Sequence, residues 1–238
     1  VNVRRPEDII LEQTPKRLAA AYALNARITD DVGNTDSVHP DAIYIMGHNT
    51  SFQDYNLARG AALARKTPWS VPILIFGDDA VSSYPGGPAW RRKLIEEYEV
   101  DPRRIVLVRG GTFDDNGTPR AHSLSEAGPV IRWCAENNVQ RLIIVAPPFH
   151  ITRCFVGFVT ALRKAEVDGT MPIDIFAATT RRIRWDEHAV HSQGTEEGTP
   201  NDFAAAEFAK LFYKDYGLLP PEEVIRYLAE RDVRIRAG

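Results

Sequence analysis

Cysteine is scarce in this chain: the 238 residues include only Cys134 and Cys154. Two thiols cannot make a disulfide framework, and they suit a reducing cytosol. Long hydrophobic runs are missing too; none approaches the ~18 residues a membrane helix needs. Neither sign of charge dominates. The 29 Lys and Arg nearly balance the 32 Asp and Glu, leaving −3 with both signs interspersed. That argues against a general nucleic-acid or anionic-membrane surface. The G-x-G-x-x-G fingerprint is absent, and Gly194–Pro200 lacks the G-K-[ST] ending of a P-loop. No G-x-S-x-G elbow supports an α/β-hydrolase. The charged stretch Val1–Glu12 has no signal-peptide pattern. The expectation is a cytoplasmic protein with neither nucleic acid nor membrane as partner.

What is present is a set of short apolar runs, each ending in a polar or small-residue cluster. Ile43–Met46 leads into Gly47-His48-Asn49-Thr50, and Pro72–Phe76 into Gly77-Asp78-Asp79. Ile105–Val108 leads into Arg109-Gly110-Gly111-Thr112, and Leu142–Ala146 into Pro147-Pro148-Phe149-His150. Ile173–Phe176 leads into Ala177-Ala178-Thr179-Thr180-Arg181. Buried parallel strands read as such continuous runs. Helical patterns lie between them. Thr14 with Pro15 opens one, and Leu57, Ala58, Ala61 and Ala62 make the small face of the next. Gly87-Pro88 opens another, and Val130–Asn138 is a fourth. Ile151, Phe155, Phe158, Val159 and Leu162 share one side of a fifth. Strand–helix alternation predicts parallel crossovers and a three-layer α/β/α, Rossmann-like sandwich. A single domain over 1–238 is expected. It has an N-terminal helix and connector (1–40), a core (41–180), and a lid segment with two C-terminal helices, Asp202–Lys214 and Pro221–Arg231 (181–238).

Open parallel sheets bind ligands at the carboxyl ends of their strands. His150 follows a Pro-Pro turn at such an end, and Arg153 and Cys154 fall on its side of the helix. A helix start beside an arginine can grip a carboxylate or phosphate, and a histidine there can move a proton. The plainer alternative is a histidine on a backbone carbonyl and an arginine in a surface ion pair. Cys154 reads as packing. Gly47 would allow close backbone approach, and His48 and Asn49 can present donors; a tight turn capped by Thr50 or Ser51 is equally open. Asp78 and Asp79, after Gly77, could hold hydroxyls or a cation, or simply form a turn. Ser123-Leu124-Ser125-Glu126 fits a capping box, but Pro129 would then lie inside the helix. A start at Ser125 or later avoids that cost. Glu126 could serve the helix dipole or face the cleft. His188 and His191, beside Asp186 and Glu187, match no zinc motif, so no metal is expected.

The order Gly47, Gly77, Ser-Leu-Ser-Glu-Ala at 123–127, then Ala146–Arg153 with His150 three residues before Arg153, resembles the YdcF/SanA/ElyC type of bacterial domain. The resemblance covers about Asp41 to Lys164. It implies a Rossmann-like fold and no agreed reaction, with S-adenosylmethionine binding suggested for some members. The leading expectation is an enzyme that hydrolyses or transfers a group on a small anionic, phosphorylated or nucleotide-like metabolite. In this reading His150, His48 and Glu126 are proton-transfer groups, and Gly47, Asn49, Gly77, Asp78, Asp79, Ser125 and Arg153 are binding residues. Two alternatives stay open. One is a non-catalytic binder of S-adenosylmethionine or a nucleotide. The other is a scaffold that forms homo-oligomers through apolar faces at Phe203–Phe212 and Val224–Leu228.

Overall fold

The five apolar runs form five strands: β1 (Ala42–Ile45), β2 (Ile73–Phe76), β3 (Ile105–Val108), β4 (Arg141–Ala146) and β5 (Asp174–Thr179). The computed structural model describes residues 5–34, 38–80, 84–110, 123–167, 172–180, 183–191, 196–213 and 216–237. Among these, the five strands make one parallel sheet in the order β3-β2-β1-β4-β5. Beyond a short N-terminal α1 (Pro6–Leu11), α2 (Pro15–Asn34) packs on one face of the sheet with α5 (Ser123–Glu136) and α6 (Ile151–Val167). α3 (Gln53–Lys66) and α4 (Gly87–Glu96) cover the other. Tyr44, Leu74 and Ile144 point into the first layer, and Ile43, Ile73 and Ile143 into the second. Both faces are dry, which is why the strands show no polar alternation. The result is the expected three-layer, Rossmann-like sandwich. No helix among the described residues is long and apolar enough to cross a membrane.

The helix starts follow local chemistry. The Arg17 N–H donates to Thr14 Oγ1 (3.3 Å) where Pro15 opens α2. The loop after β2 is shaped by two glycines. Gly86 takes φ +91°, and a Cβ on Gly87 would lie 2.4 Å from the Phe76 carbonyl oxygen. Backbone cannot yield as a side-chain tip can, so Gly87→Ala is expected to destabilise by about 1–3 kcal/mol. Urea unfolding checks this, and a change within about 0.5 kcal/mol would show that the loop is looser than this contact implies.

The expected late start of α5 is corrected: the helix begins at Ser123 and carries Pro129 in its interior. The preceding residue, Gly128, brings no Cβ against the proline ring. Burial of Ala127, Val130, Ile131 and Cys134 offsets the lost backbone bond.

The tail is more structured than its polarity suggests. β6 (Ala189–His191) and β7 (Glu196–Gly198) pair antiparallel, followed by α7 (Pro200–Lys210) and α8 (Pro221–Ala237). Thr199 and Asp202 form a reciprocal capping box at α7. α8 covers the edge strand β5. Tyr227 Oη takes the Ile175 N–H at 2.7 Å and donates to Ile173 O at 2.9 Å, and Arg231 donates to Ile175 O at 2.7 Å. The apolar faces that suggested an oligomer surface are therefore spoken for: Phe203, Phe212, Val224 and Leu228 are buried within this chain.

Candidate functional site

In the order β3-β2-β1-β4-β5 the chain reverses direction across the sheet between β1 and β4, which makes the crevice above their carboxyl ends the expected ligand position. Three imidazoles meet there. His48 comes from the loop after β1, His150 from the turn before α6, and His191 from β6. Their ring centroids lie 5.3–5.6 Å apart, with His48 stacked on His191 and His150 edge-on to both. Phe52, Phe149 and Phe203 wall the cluster. The loop is pinned from both ends: Gln53 N–H donates to Asn49 O (3.0 Å), and Asn49 Nδ2 donates to Val190 O.

Each of two rings keeps one nitrogen to itself. Arg153 Nη2 lies 2.7 Å from His150 Nε2. A guanidinium only donates, so Nε2 accepts and the ring proton belongs on Nδ1. That buried Nδ1, like His48 Nε2, meets no partner among the described residues. His48 Nδ1 is 3.0 Å from both the Asn49 N–H and Asn49 Oδ1. Burial, and then His191, pushes the His48 imidazole down to about 3. Burial likewise holds His150 well below its ordinary range, with Arg153 adding to the effect. Burial keeps both rings in the neutral form, with the His150 proton on an Nδ1 that has no partner among the described residues.

Beneath the Gly47 turn lies Glu126, delivered by the first turn of α5. Its Oε2 accepts from Tyr44 Oη (2.5 Å) and from the Gly47 N–H (2.9 Å). Burial raises this carboxyl to about 7 despite those two hydrogen bonds. A group poised near neutrality suits general acid–base work.

Charge enters through Arg153, whose Nε donates to Glu207 of α7. Glu207, 2% exposed, also accepts from His191 Nε2 (3.1 Å) and Lys210 Nζ (2.8 Å). Burial opposes its ionisation, but Arg153, His150, His191 and Lys210 outweigh burial and hold it well below its usual range.

The structure thus brings Gly47, His48, Asn49, Glu126, His150 and Arg153 together, with Ser125 buried beside Glu126. The arginine's ion pair is buried, not on the surface. Asp78 serves a turn: its Oδ1 accepts the Gly110 N–H (3.0 Å), joining the ends of β2 and β3. Asp79 is exposed and, with Pro85, Gly86 and Arg92, lines an open pocket of about 340 Å³. Cys154 is fully buried, and burial drives its thiol well above the usual range, as packing requires. His188 is exposed with Asp186 and Glu187, while His191 turns inward. Among the described residues no three metal-ligating side chains are placed to hold an ion. The sequence reading passed over Tyr44, Glu207 and Lys210. A signal was present: Phe203, Glu207 and Lys210 follow the i, i+4, i+7 spacing of one helix face, so a charged pair stands in an apolar stripe.

The glycines of these loops are filled from within the protein. A Cβ on Gly47 would meet Glu126 at 3.1 Å, on Gly77 Leu107 at 3.0 Å, and on Gly110 Phe76 at 2.6 Å. They form no open cradle for an S-adenosylmethionine group. Comparison of the chain with protein-family models, curated proteins and solved structures finds no match.

Proposed function

We propose that this protein is a cytoplasmic enzyme that hydrolyses or transfers a group on a small anionic metabolite, phosphorylated or nucleotide-like, at the carboxyl edge of its sheet. One observation carries the reading. Two buried, neutral imidazoles, each with an unsatisfied ring nitrogen, stand at the strand switch point above a carboxyl poised near 7. Such a set moves protons, and Arg153 supplies positive charge beside it. In this scheme His150 acts as acid or base, and His48 or Glu126 is the second proton-transfer group. Gly47 and Asn49 shape the β1 loop, Ser125 lies beside Glu126, and Gly77, Asp78 and Asp79 follow the neighbouring strand β2. Nucleic acid and membrane have no part in the reading.

A thermal-shift panel of nucleotides, sugar phosphates, polyphosphates, S-adenosylmethionine and divalent cations tests it. A phosphorylated ligand at about a hundred times its Kd is expected to stabilise the fold by roughly 2.7 kcal/mol. With that ligand as substrate, His150→Gln and Glu126→Gln are each expected to slow turnover about 100- to 10,000-fold. A folded protein that answers to no member of the panel, or full turnover in both variants, overturns the proposal. Binding without turnover points instead to a ligand-binding module.

A further inference from the structure

The crevice holds a carboxylate supplied by the protein's own tail. Glu207 reaches it from α7 and sets one oxygen against Arg153 Nε, 3.6 Å from His150 Nε2. Its other oxygen takes His191 and Lys210. Arg153 and His150 belong to the core, whereas Glu207, His191 and Lys210 all belong to the tail. The tail therefore carries an acid into the place where the core offers a cation, together with the groups that brace that acid. Two cations share this one buried carboxylate; Lys210 has a further partner in Glu196, 3.2 Å away and about one-third exposed. Between β6 and β7 the pairing runs over only three residues each.

We infer that Arg153 and His150 form a receptor for the carboxylate or phosphate group of a ligand, that Glu207 fills this receptor from within, and that α7, which carries Glu207, is with β6 and β7 a latch the ligand displaces. The inference rests on the proposed function in taking the ligand to be a small anion. Glu207 and a bound anion exclude each other, because both take the same guanidinium edge and the same place beside His150 Nε2, and Lys210 moves with the tail that carries Glu207. The latch then sets the working affinity. A tail closed in about ninety-nine of a hundred molecules weakens apparent binding about a hundredfold. It also keeps the neutral imidazoles dry until a ligand of the right charge arrives.

Inorganic phosphate is the probe. Calorimetric titration of the full chain and of Glu207→Gln is expected to show at least about tenfold tighter binding in the variant. Arg153→Met, added to Glu207→Gln, is expected to remove that binding. In the unmodified protein, phosphate is expected to speed amide exchange in α7 while α6 stays protected. Equal affinity in the two proteins overturns the latch, and binding by neither overturns the receptor. If Glu207→Gln does not fold, exchange in the unmodified protein decides: α7 protection unchanged at high phosphate overturns the inference. The two readings fail separately. Phosphate binding gated by Glu207, with no turnover of any panel member, keeps the latch and loses the enzyme. Turnover with an affinity indifferent to Glu207→Gln keeps the enzyme and loses the latch.

Discussion

Glu207→Ala is expected to destabilise the fold by about 3–5 kcal/mol. The side chain is 2% exposed and is the shared acceptor for Arg153, His191 and Lys210. Removing it leaves Arg153 buried without this carboxylate, and takes from Lys210 an acceptor at 2.8 Å. The cost comes less from lost attraction than from charge that remains buried after its counter-charge has gone. Exposure decides the magnitude. The Arg5–Asp8 pair has side chains 71% and 44% exposed, and breaking it is expected to leave the stability nearly unchanged. Urea unfolding of both variants at neutral pH measures the contrast. A loss under about 1 kcal/mol for Glu207→Ala would mean that water reaches the site freely, contrary to the packing described. Phosphate is expected to restore part of the loss by binding the folded state.

The second large effect is a change of sign with pH. Burial raises the Glu126 carboxyl from 4.5 to about 7 in the folded protein. A raised carboxyl favours the folded state while protonated. Its contribution is complete below about 4.5 and is lost as pH rises through about 7. At 1.36 kcal/mol per unit, the swing is about 3 kcal/mol. Glu126→Gln keeps the shape and does not titrate. Relative to the unmodified protein, the variant is expected to gain about 2.5 kcal/mol between about pH 5 and about pH 8 while losing turnover. His48, pushed from 6.5 to about 3, works in the opposite direction: its stabilisation is complete above 6.5 and fades as pH falls toward 3. That limb is common to both proteins and cancels in their difference. Unfolding free energies measured at the two pH values decide the matter. Parallel pH profiles would place the Glu126 carboxyl near its ordinary value.

What the sequence determined by itself was local. Continuous apolar runs specify buried strands because each residue type records its own burial, and all five strands begin within a residue of the positions read from the runs, β5 running on three residues further to Thr179. Thr14-Pro15 and Gly87-Pro88 mark helix starts because capping involves only neighbours in the chain. The cluster at the strand ends followed from parallel topology, so Gly47, His48, His150 and Arg153 were legible as a group. Tertiary structure decided the rest. The strand order depends on pairings between runs such as Ala42–Ile45 and Leu142–Val145, which lie 100 residues apart. Pro129 sits inside α5 because packing of the whole helix outweighs one missing backbone bond. Tyr44 and Glu126 lie 82 residues apart, and Arg153 and Glu207 lie 54 apart. The chemistry of such pairs arises from burial, which no isolated residue carries in its identity. Glu207 stands on the chain at the spacing of an apolar helix face, with nothing in the sequence to say what it meets. Only the fold, by removing water around it and setting two cations on one carboxylate, makes it the centre of the site.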